Sequence, residues 1–340
     1  MRTSLFSFDL PAHLIASHPP SERGSSRLMV LDRHTGAVCH DAVQSLPALL
    51  KPGTLMVFND TRVRKARLFA TNAANGAKGE FLFLQPSADG GWDCLVDRAK
   101  RKRTGQEWLF PSGICGVITG APAPDRRTLR LVPMPDEGWF ERNGHIPLPP
   151  YMRRKDEPED SEHYQTVYAK NTGSAAAPTA GLHFTPALLE ALKAAGMELA
   201  WLTLTVGLGT FAPMRAEDIS THTMHTEHYD IPEETARAVN AAKAEGRPVL
   251  AVGTTAVRAL ESAWKGARLI PGPGSANLFI SPGYSFSVVD VLFTNFHTPR
   301  STLLVLVSAF ARREWILGAY GRAIEEGYRF FSYGDAMLIR

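Results

Sequence analysis
The chain reads as an α/β domain with an inserted small β-barrel domain. Apolar runs short enough to be buried strands alternate with helix signals near the start of the chain and again after residue 161. Between about Ala66 and Pro147 the texture changes to short runs, EFLFLQ, WDCLV, EWLF, GVIT and TLRLV. Gly90-Gly91, Pro111-Ser112-Gly113 and Pro122-Ala123-Pro124 punctuate them, a spacing that suits a barrel or sandwich. Since the α/β texture stands on both sides, an insertion is the simplest account. The expected division is a discontinuous α/β catalytic domain over 1–62 and 150–340, with the barrel over 63–149.

The elements follow in order. Arg27–Asp32 and Ala37–His40 flank His34-Thr35-Gly36, a hairpin signal. Asp41–Leu50 reads as a short helix closed by Lys51-Pro52-Gly53, and Thr54–Asn59 as a strand buried on both faces. After the barrel, Pro147-Leu148-Pro149-Pro150 and the charged stretch 152–160 mark a boundary. Thr185 caps a helix that starts at Pro186 and runs to Gly196. A strand over Leu199–Val206, a histidine-rich loop, a helix over Glu233–Glu245, a strand over Val249–Val252 and a helix over Ala256–Trp264 come next. Leu303–Phe310 reads as an apolar helix. That order predicts a parallel, helix-covered sheet.

Composition bounds the function. With 340 residues, 44% apolar and 21% charged, the chain has the make-up of a soluble globular protein long enough for two cores. Three scattered cysteines, Cys39, Cys94 and Cys115, argue against a disulfide framework and fit a reducing cytosol. The N-terminal stretch lacks a signal-peptide h-region, and the run Leu303–Val307 is too short to cross a bilayer. Net charge is only +3, but the charge is uneven: residues 97–103 read DRAKRKR. Arg98, Lys100, Arg101, Lys102 and Arg103 fit a solvated face or a phosphate-backbone footprint equally well.

The densest chemistry lies in residues 203–231. Beyond Gly207 and Gly209 stand His222, His225 and His228, with Glu227 between the last two. A metal site, an acid–base site and plain loop polarity are all open. The spacing is not that of the helical zinc motif and no cysteine pair assists, so metal ranks below acid–base chemistry. Glu227 beside His225 can set an imidazole's tautomer or act as a base, provided the segment is extended or turning. Gly253-Thr254-Thr255, where a strand enters a helix, suits an anion or a ribose-bearing ligand, with ordinary capping as the alternative. His183 follows a run of small residues, Asn295 and His297 precede the apolar helix, and Asp335 follows the aromatics of YRFFSYGD.

Taken in order, several stretches resemble the S-adenosylmethionine:tRNA ribosyltransferase-isomerase family of queuosine biosynthesis. They are SRLMVLDRHTG (26–36), FNDTRV (58–63), YQTVYAKNTGSAAAPTAGLHFT (164–185), LTVGLGTFAPMR (204–215), HTMHTE (222–227), AVGTTAVRALES (251–262), PGYSFSVVDVLFTNFHTPRSTLLVLVSAFA (282–311) and AYGRAIEEGYRFFSYGDAMLI (319–339). His228 falls outside the pattern, as do Thr298 and the pair Arg312 and Arg313.

The resemblance implies a barrel-interrupted α/β fold. It also implies a reaction in which the ribosyl part of S-adenosylmethionine, a co-substrate, is moved and rearranged onto 7-aminomethyl-7-deazaguanine at the tRNA wobble position. Epoxyqueuosine forms; adenine and methionine leave. The sulfonium acidifies the C5′ protons, so such a site needs a base, a donor for departing adenine and polar groups for the ribose hydroxyls. The matching positions offer Glu227, His225, His183 and His297 for acid–base work. Arg62, Thr254, Thr255, Arg258, Asn295 and Asp335 are offered for substrate, and the 98–103 basic run for tRNA. The expected partner is a tRNA with a GUN-type anticodon, with no metal and no membrane, for a cytoplasmic monomer. An RNA methyltransferase using the same donor lacks its glycine fingerprint here, and a non-catalytic RNA-binding module would not need titratable groups concentrated over 183–297.

Overall fold
The computed structural model describes residues 1–87, 89–207, 214, 216–222, 224 and 226–340. Among them, nine strands form one sheet in the order Gly272–Ala276, Glu227–Ile231, Glu198–Leu204, Leu55–Asn59, Val249–Val252, Val291–Asn295, Ala336–Ile339, Arg27–Leu31, Val38–Ala42. Alternate residues of each central strand enter opposite cores, as the two-residue period requires. Leu55, Val57, Val249, Ala251 and Leu292 pack with Val239, Leu260, Leu304 and Ile316 of the helices Glu233–Ala244, Thr254–Ala263, Thr302–Phe310 and Arg313–Glu325. Met56, Phe58, Leu250, Val252 and Phe293 pack on the other side with Leu188 and Leu192 of Pro186–Ala194.

The sheet corrects the expectation of a parallel arrangement. The four strands from Glu198–Leu204 to Val291–Asn295 are mutually parallel, but Ala336–Ile339 runs antiparallel to Val291–Asn295, and the flanking strands add further antiparallel pairs. The C-terminal strand enters between two strands distant in sequence, a pairing that no local pattern encodes. The hairpin stands as expected, Arg27–Leu31 against Val38–Ala42, its turn held by Asp32 Oδ1, which accepts from the backbone N–H of His34 and Thr35. The expected helix over Asp41–Leu50 shrinks to Leu46–Leu49, because Asp41 and Ala42 complete the hairpin strand. Thr185 caps its helix as expected, its hydroxyl accepting from Leu188 N–H at 3.1 Å.

Six strands between Arg67 and Val132 close into an antiparallel barrel. Its core is aromatic: Phe81, Phe83, Trp92, Trp108, Phe110, Trp139 and Phe140, most pairs meeting edge to face. The chain leaves the sheet through Thr61–Val63, which pairs in parallel with Asn171–Ser174. Here the buried Gln165 side chain stands in for backbone: its Oε1 accepts from Val63 N–H at 2.9 Å and its Nε2 donates to Val63 C=O at 2.8 Å. Val63, Ile146, Leu148, Met152, Tyr164 and Tyr333 form a small core where the chain enters and leaves the barrel.

Replacing Gln165 by Leu leaves both backbone groups of Val63 buried without partners. Each is expected to cost about 1–3 kcal/mol, read as a lowered urea midpoint with an unchanged slope.

Candidate active site
The chain runs from Leu55–Asn59 outward to Glu198–Leu204 on one side, then crosses back to Val249–Val252 on the other. A crevice beyond the carboxyl ends of the strands is expected where the direction of winding reverses. A cleft lies there, lined by Gly253, Thr254 and Thr255 after one strand and by Asn295, Phe296 and His297 after the next. Tyr151, Phe331 and Ser332 line it as well.

Three local features build the cleft. Gly253 has φ +90°, which a residue with a side chain adopts only under strain, and its N–H bonds Phe293 C=O at 2.8 Å. This turn opens the helix Thr254–Ala263 with no side-chain cap, so backbone N–H groups at the helix start are left for a ligand. Thr255 Oγ1 accepts from Asn59 Nδ2 at 3.3 Å, tying the helix start to the adjacent strand end. Phe331 has φ +73°, unfavourable for a bulky residue. The backbone there aims Phe331 C=O at Asn295 Nδ2, 3.1 Å away, while its ring centroid lies 4.6 Å from that of Tyr151. The Tyr151 hydroxyl in turn bonds Ser332 Oγ.

Two histidines, His297 and His183, are buried and uncharged at neutral pH. His297 Nε2 bonds Thr294 Oγ1 at 2.9 Å and its backbone N–H donates to the Tyr320 hydroxyl; burial pulls the imidazole pKa down to about 3. His183 Nε2 lies 2.9 Å from Asn295 Nδ2; burial, with Arg329 adding, holds its pKa at about 4. At neutral pH neither carries a proton to give as imidazolium. Each serves as a neutral donor or acceptor.

A family model described as queuosine biosynthesis protein matches residues 3–339. The chain belongs to that family. The S-adenosylmethionine:tRNA ribosyltransferase-isomerase of Treponema denticola is 49% identical, and the protein of that name from Citrifermentans bemidjiense 47%, each match covering 100% of both chains. A crystal structure of S-adenosylmethionine tRNA ribosyltransferase from Thermotoga maritima superposes with a TM-score of 0.58 at 35% identity, over 99% of this chain and 100% of that one. The barrel-bearing α/β fold expected from sequence is thus the fold of this queuosine-biosynthesis family member.

The residues singled out in the sequence fall into separate places. Thr254, Thr255, Asn295 and His297 line the cleft, and His183 stands behind Asn295. Glu227 and Arg258 are both buried and form an ion pair, with Arg258 Nη2 also donating to Ala276 C=O at 2.9 Å. His225 lies outside the described residues. Asp335 accepts from the backbone N–H of Arg27 and Arg329, at 2.9 and 2.8 Å, so it braces the C-terminal turn. Arg62 is half-buried on Thr61–Val63 and does not line the cleft. His228 is exposed on its strand, with Nδ1 3.4 Å from Ser275 Oγ. Among the described residues no group of three or more His, Cys, Asp or Glu is placed to hold a metal, and no helix is long and apolar enough to cross a membrane.

The basic run divides. Arg98, Lys100, Arg101 and Arg103 are exposed, but Lys102 is buried, pairs with Asp97 and lies 5.1 Å from the centroids of Phe81 and Trp108. Arg127 is buried beneath the loop, its Nε donating to Lys102 C=O at 2.6 Å and a terminal nitrogen to Ala99 C=O. Arg64 grips the Glu137 carboxylate through Nε and Nη2 over the rings of Trp92 and Phe140. Tyr151 escaped sequence reasoning; the only signal was its place just after the proline-rich barrel exit.

Both histidines have folded-state pKa values below the ordinary 6.5, so between these values the unfolded chain binds more protons and stability rises with pH. Their penalty is absent above about 6.5 and grows as pH falls toward about 4. The melting temperature is expected to fall over that window before the carboxylates titrate, and His183→Gln to flatten part of the fall, as thermal melts across pH would show.

Proposed function
We propose that this chain transfers and isomerises the ribosyl group of S-adenosylmethionine onto 7-aminomethyl-7-deazaguanine at the wobble position of tRNA with a GUN-type anticodon. Epoxyqueuosine is the product, with adenine and methionine released. The observation that carries this is end-to-end identity of 49% and 47% with proteins named for that activity. The chemistry of the cleft supports it. Unsatisfied N–H groups at Thr254 and Thr255 suit the methionyl carboxylate or ribose hydroxyls, and the Tyr151–Phe331 ring pair offers π-faces to a sulfonium. We assign S-adenosylmethionine to the cleft with no resident metal, in a protein that acts as a cytoplasmic monomer.

His297 sits on the cleft as a neutral imidazole able to accept a proton, with Thr294 holding its ring. Asn295 offers its carbonyl oxygen, which also accepts from Thr179 Oγ1 at 3.1 Å. The Glu227–Arg258 pair, with His225 two residues before Glu227, is the second candidate for the base. In the barrel, taken as 63–149, Arg98, Lys100, Arg101 and Arg103 face the RNA backbone, while Lys102 and Arg127 hold their loop.

Incubation with S-adenosylmethionine and tRNA bearing the aminomethyl base is expected to yield adenine and methionine together, and neither without that tRNA. Mass analysis showing S-adenosylhomocysteine and methylated tRNA instead would replace this reading with a methyltransferase. For the barrel, Lys100→Ala and Arg101→Ala are expected to weaken tRNA binding and to reduce the salt slope by about 0.7–0.9 per lost phosphate contact. Lys102→Ala should chiefly lower the barrel's melting temperature. A slope unmoved by the exposed-site changes would remove this face from the RNA footprint.

A further inference from the structure
A second cavity, of about 210 Å³, adjoins the cleft and is lined by Pro19, Arg23, Ser26, Glu162, His183 and Tyr333 among others. Ser332 lines both spaces, and the Asn295–His183 hydrogen bond spans the boundary, since Asn295 lines one and His183 the other.

The orientation of that hydrogen bond follows from its neighbours. Phe331 C=O can only accept, so the Asn295 atom 3.1 Å from it is the amide nitrogen, and Oδ1 receives the Thr179 hydroxyl. The same nitrogen donates to His183 Nε2 at 2.9 Å. His183, neutral at pH 7, therefore carries its proton on Nδ1. His183 is only 4% exposed, lines the second cavity, and has no hydrogen bond from Nδ1 among the described residues. A neutral N–H donor is thus left for whatever enters.

Two charged groups face the same space with opposite demands. Arg23 Nη1 and Nη2 donate to the backbone C=O of Gln165 and Glu162, at 2.8 and 3.2 Å, which leaves further N–H groups of the guanidinium unused. Glu162 is exposed where it lines this space, and no hydrogen bond or ion pair among the described residues holds its carboxylate. Pro19 and the Tyr333 ring supply apolar walls, the ring being anchored by its hydroxyl to Asp160 Oδ1 at 3.2 Å.

We propose that this cavity receives the guanine-type base swung out of the tRNA anticodon, while the cleft takes S-adenosylmethionine; the assignment rests on the reaction proposed above. The edge of such a base presents an acceptor, O6, beside two donors, N1–H and N2–H₂. Donors from Arg23 and His183 match the first, and the Glu162 carboxylate matches the second. A base that undergoes chemistry leaves its stack and is read by hydrogen bonds along this edge. The shared wall of Asn295, His183 and Ser332 is then where the aminomethyl arm and the ribosyl group meet.

Glu162→Gln tests this, because it keeps the side chain's size and leaves the backbone bond from Arg23 intact. Two quantities are read: KM for tRNA and for S-adenosylmethionine, and equilibrium binding, without S-adenosylmethionine, of an anticodon stem-loop carrying the aminomethyl base against one abasic at that position. The expected result is a rise of about tenfold in KM for tRNA, with KM for S-adenosylmethionine within about twofold, and loss of most of the preference for the base-bearing loop. A rise in KM for S-adenosylmethionine alone would give the cavity to the methionyl end of that molecule and overturn the proposal. No change in either KM or in the loop preference would overturn it too. The binding arm needs no turnover, so failure of the wild-type protein to release adenine and methionine would sink the reaction without deciding the cavity.

Discussion
A strand that ends in the middle of a sheet leaves backbone groups that neighbouring strands no longer reach, and burial makes each of them expensive. Asn59 meets that constraint at the end of Leu55–Asn59. Its Oδ1 accepts from the N–H of Thr61 and Leu204, and its Nδ2 donates to Leu204 C=O and Thr255 Oγ1. One side chain thereby aligns two parallel strands, sets the start of the helix after Gly253, and lets the chain turn away toward the barrel. Gln165 repeats the device one step later at Val63, and Ser174 again, its hydroxyl accepting from Val206 N–H at 2.9 Å. The cleft depends on these bonds because its walls are the segments they position.

Charge inside this protein is used in the same way. Glu261 accepts from the backbone N–H of Ser287, Val288 and Val289, each at 3.0 Å, and so folds the approach to Val291–Asn295. Asp290 Oδ2 accepts from Val249 N–H at 2.9 Å and pairs with Lys243. Asp160 binds Arg154 and the Tyr333 hydroxyl beneath the second cavity. The buried Glu261 and Asp160 offset their desolvation with several donors, the condition under which a buried charge is tolerated, while Asp290 is half-exposed. Around the cleft itself the polar side chains are neutral amides, hydroxyls and imidazoles, which suits a ligand that brings its own positive charge.

What could be read from the chain follows physical range. The 27–42 hairpin, the fully buried Leu55–Asn59 and the Thr185-capped helix are local patterns, and all three stand in the structure. Ala336–Ile339 lies antiparallel to Val291–Asn295 and parallel to Arg27–Leu31 from the far end of the chain, a placement between two strands that element order alone does not give, so order predicted a parallel sheet. At the site, Thr254, Thr255, Asn295 and His297 were visible as polar residues at strand-to-helix junctions. Tyr151 was not, since an aromatic after prolines has no chemical signature until the fold brings it against Phe331. The basic run misled by uniformity: six letters of sequence cannot distinguish Lys102, which enters the aromatic core, from Arg101, which faces water.

The arrangement beneath that run has a consequence for how a polyanion would be met there. Arg127 collects the carbonyls of Ala99, Lys102, Ala123 and Arg126, and Lys102 draws the loop onto Phe81 and Trp108. The exposed cations therefore sit on a loop already ordered from below by cations that never see solvent. A polyanion arriving at this face would not have to immobilise it, so little of the attraction is spent on ordering and the rate of capture is set by long-range charge rather than by loop rearrangement.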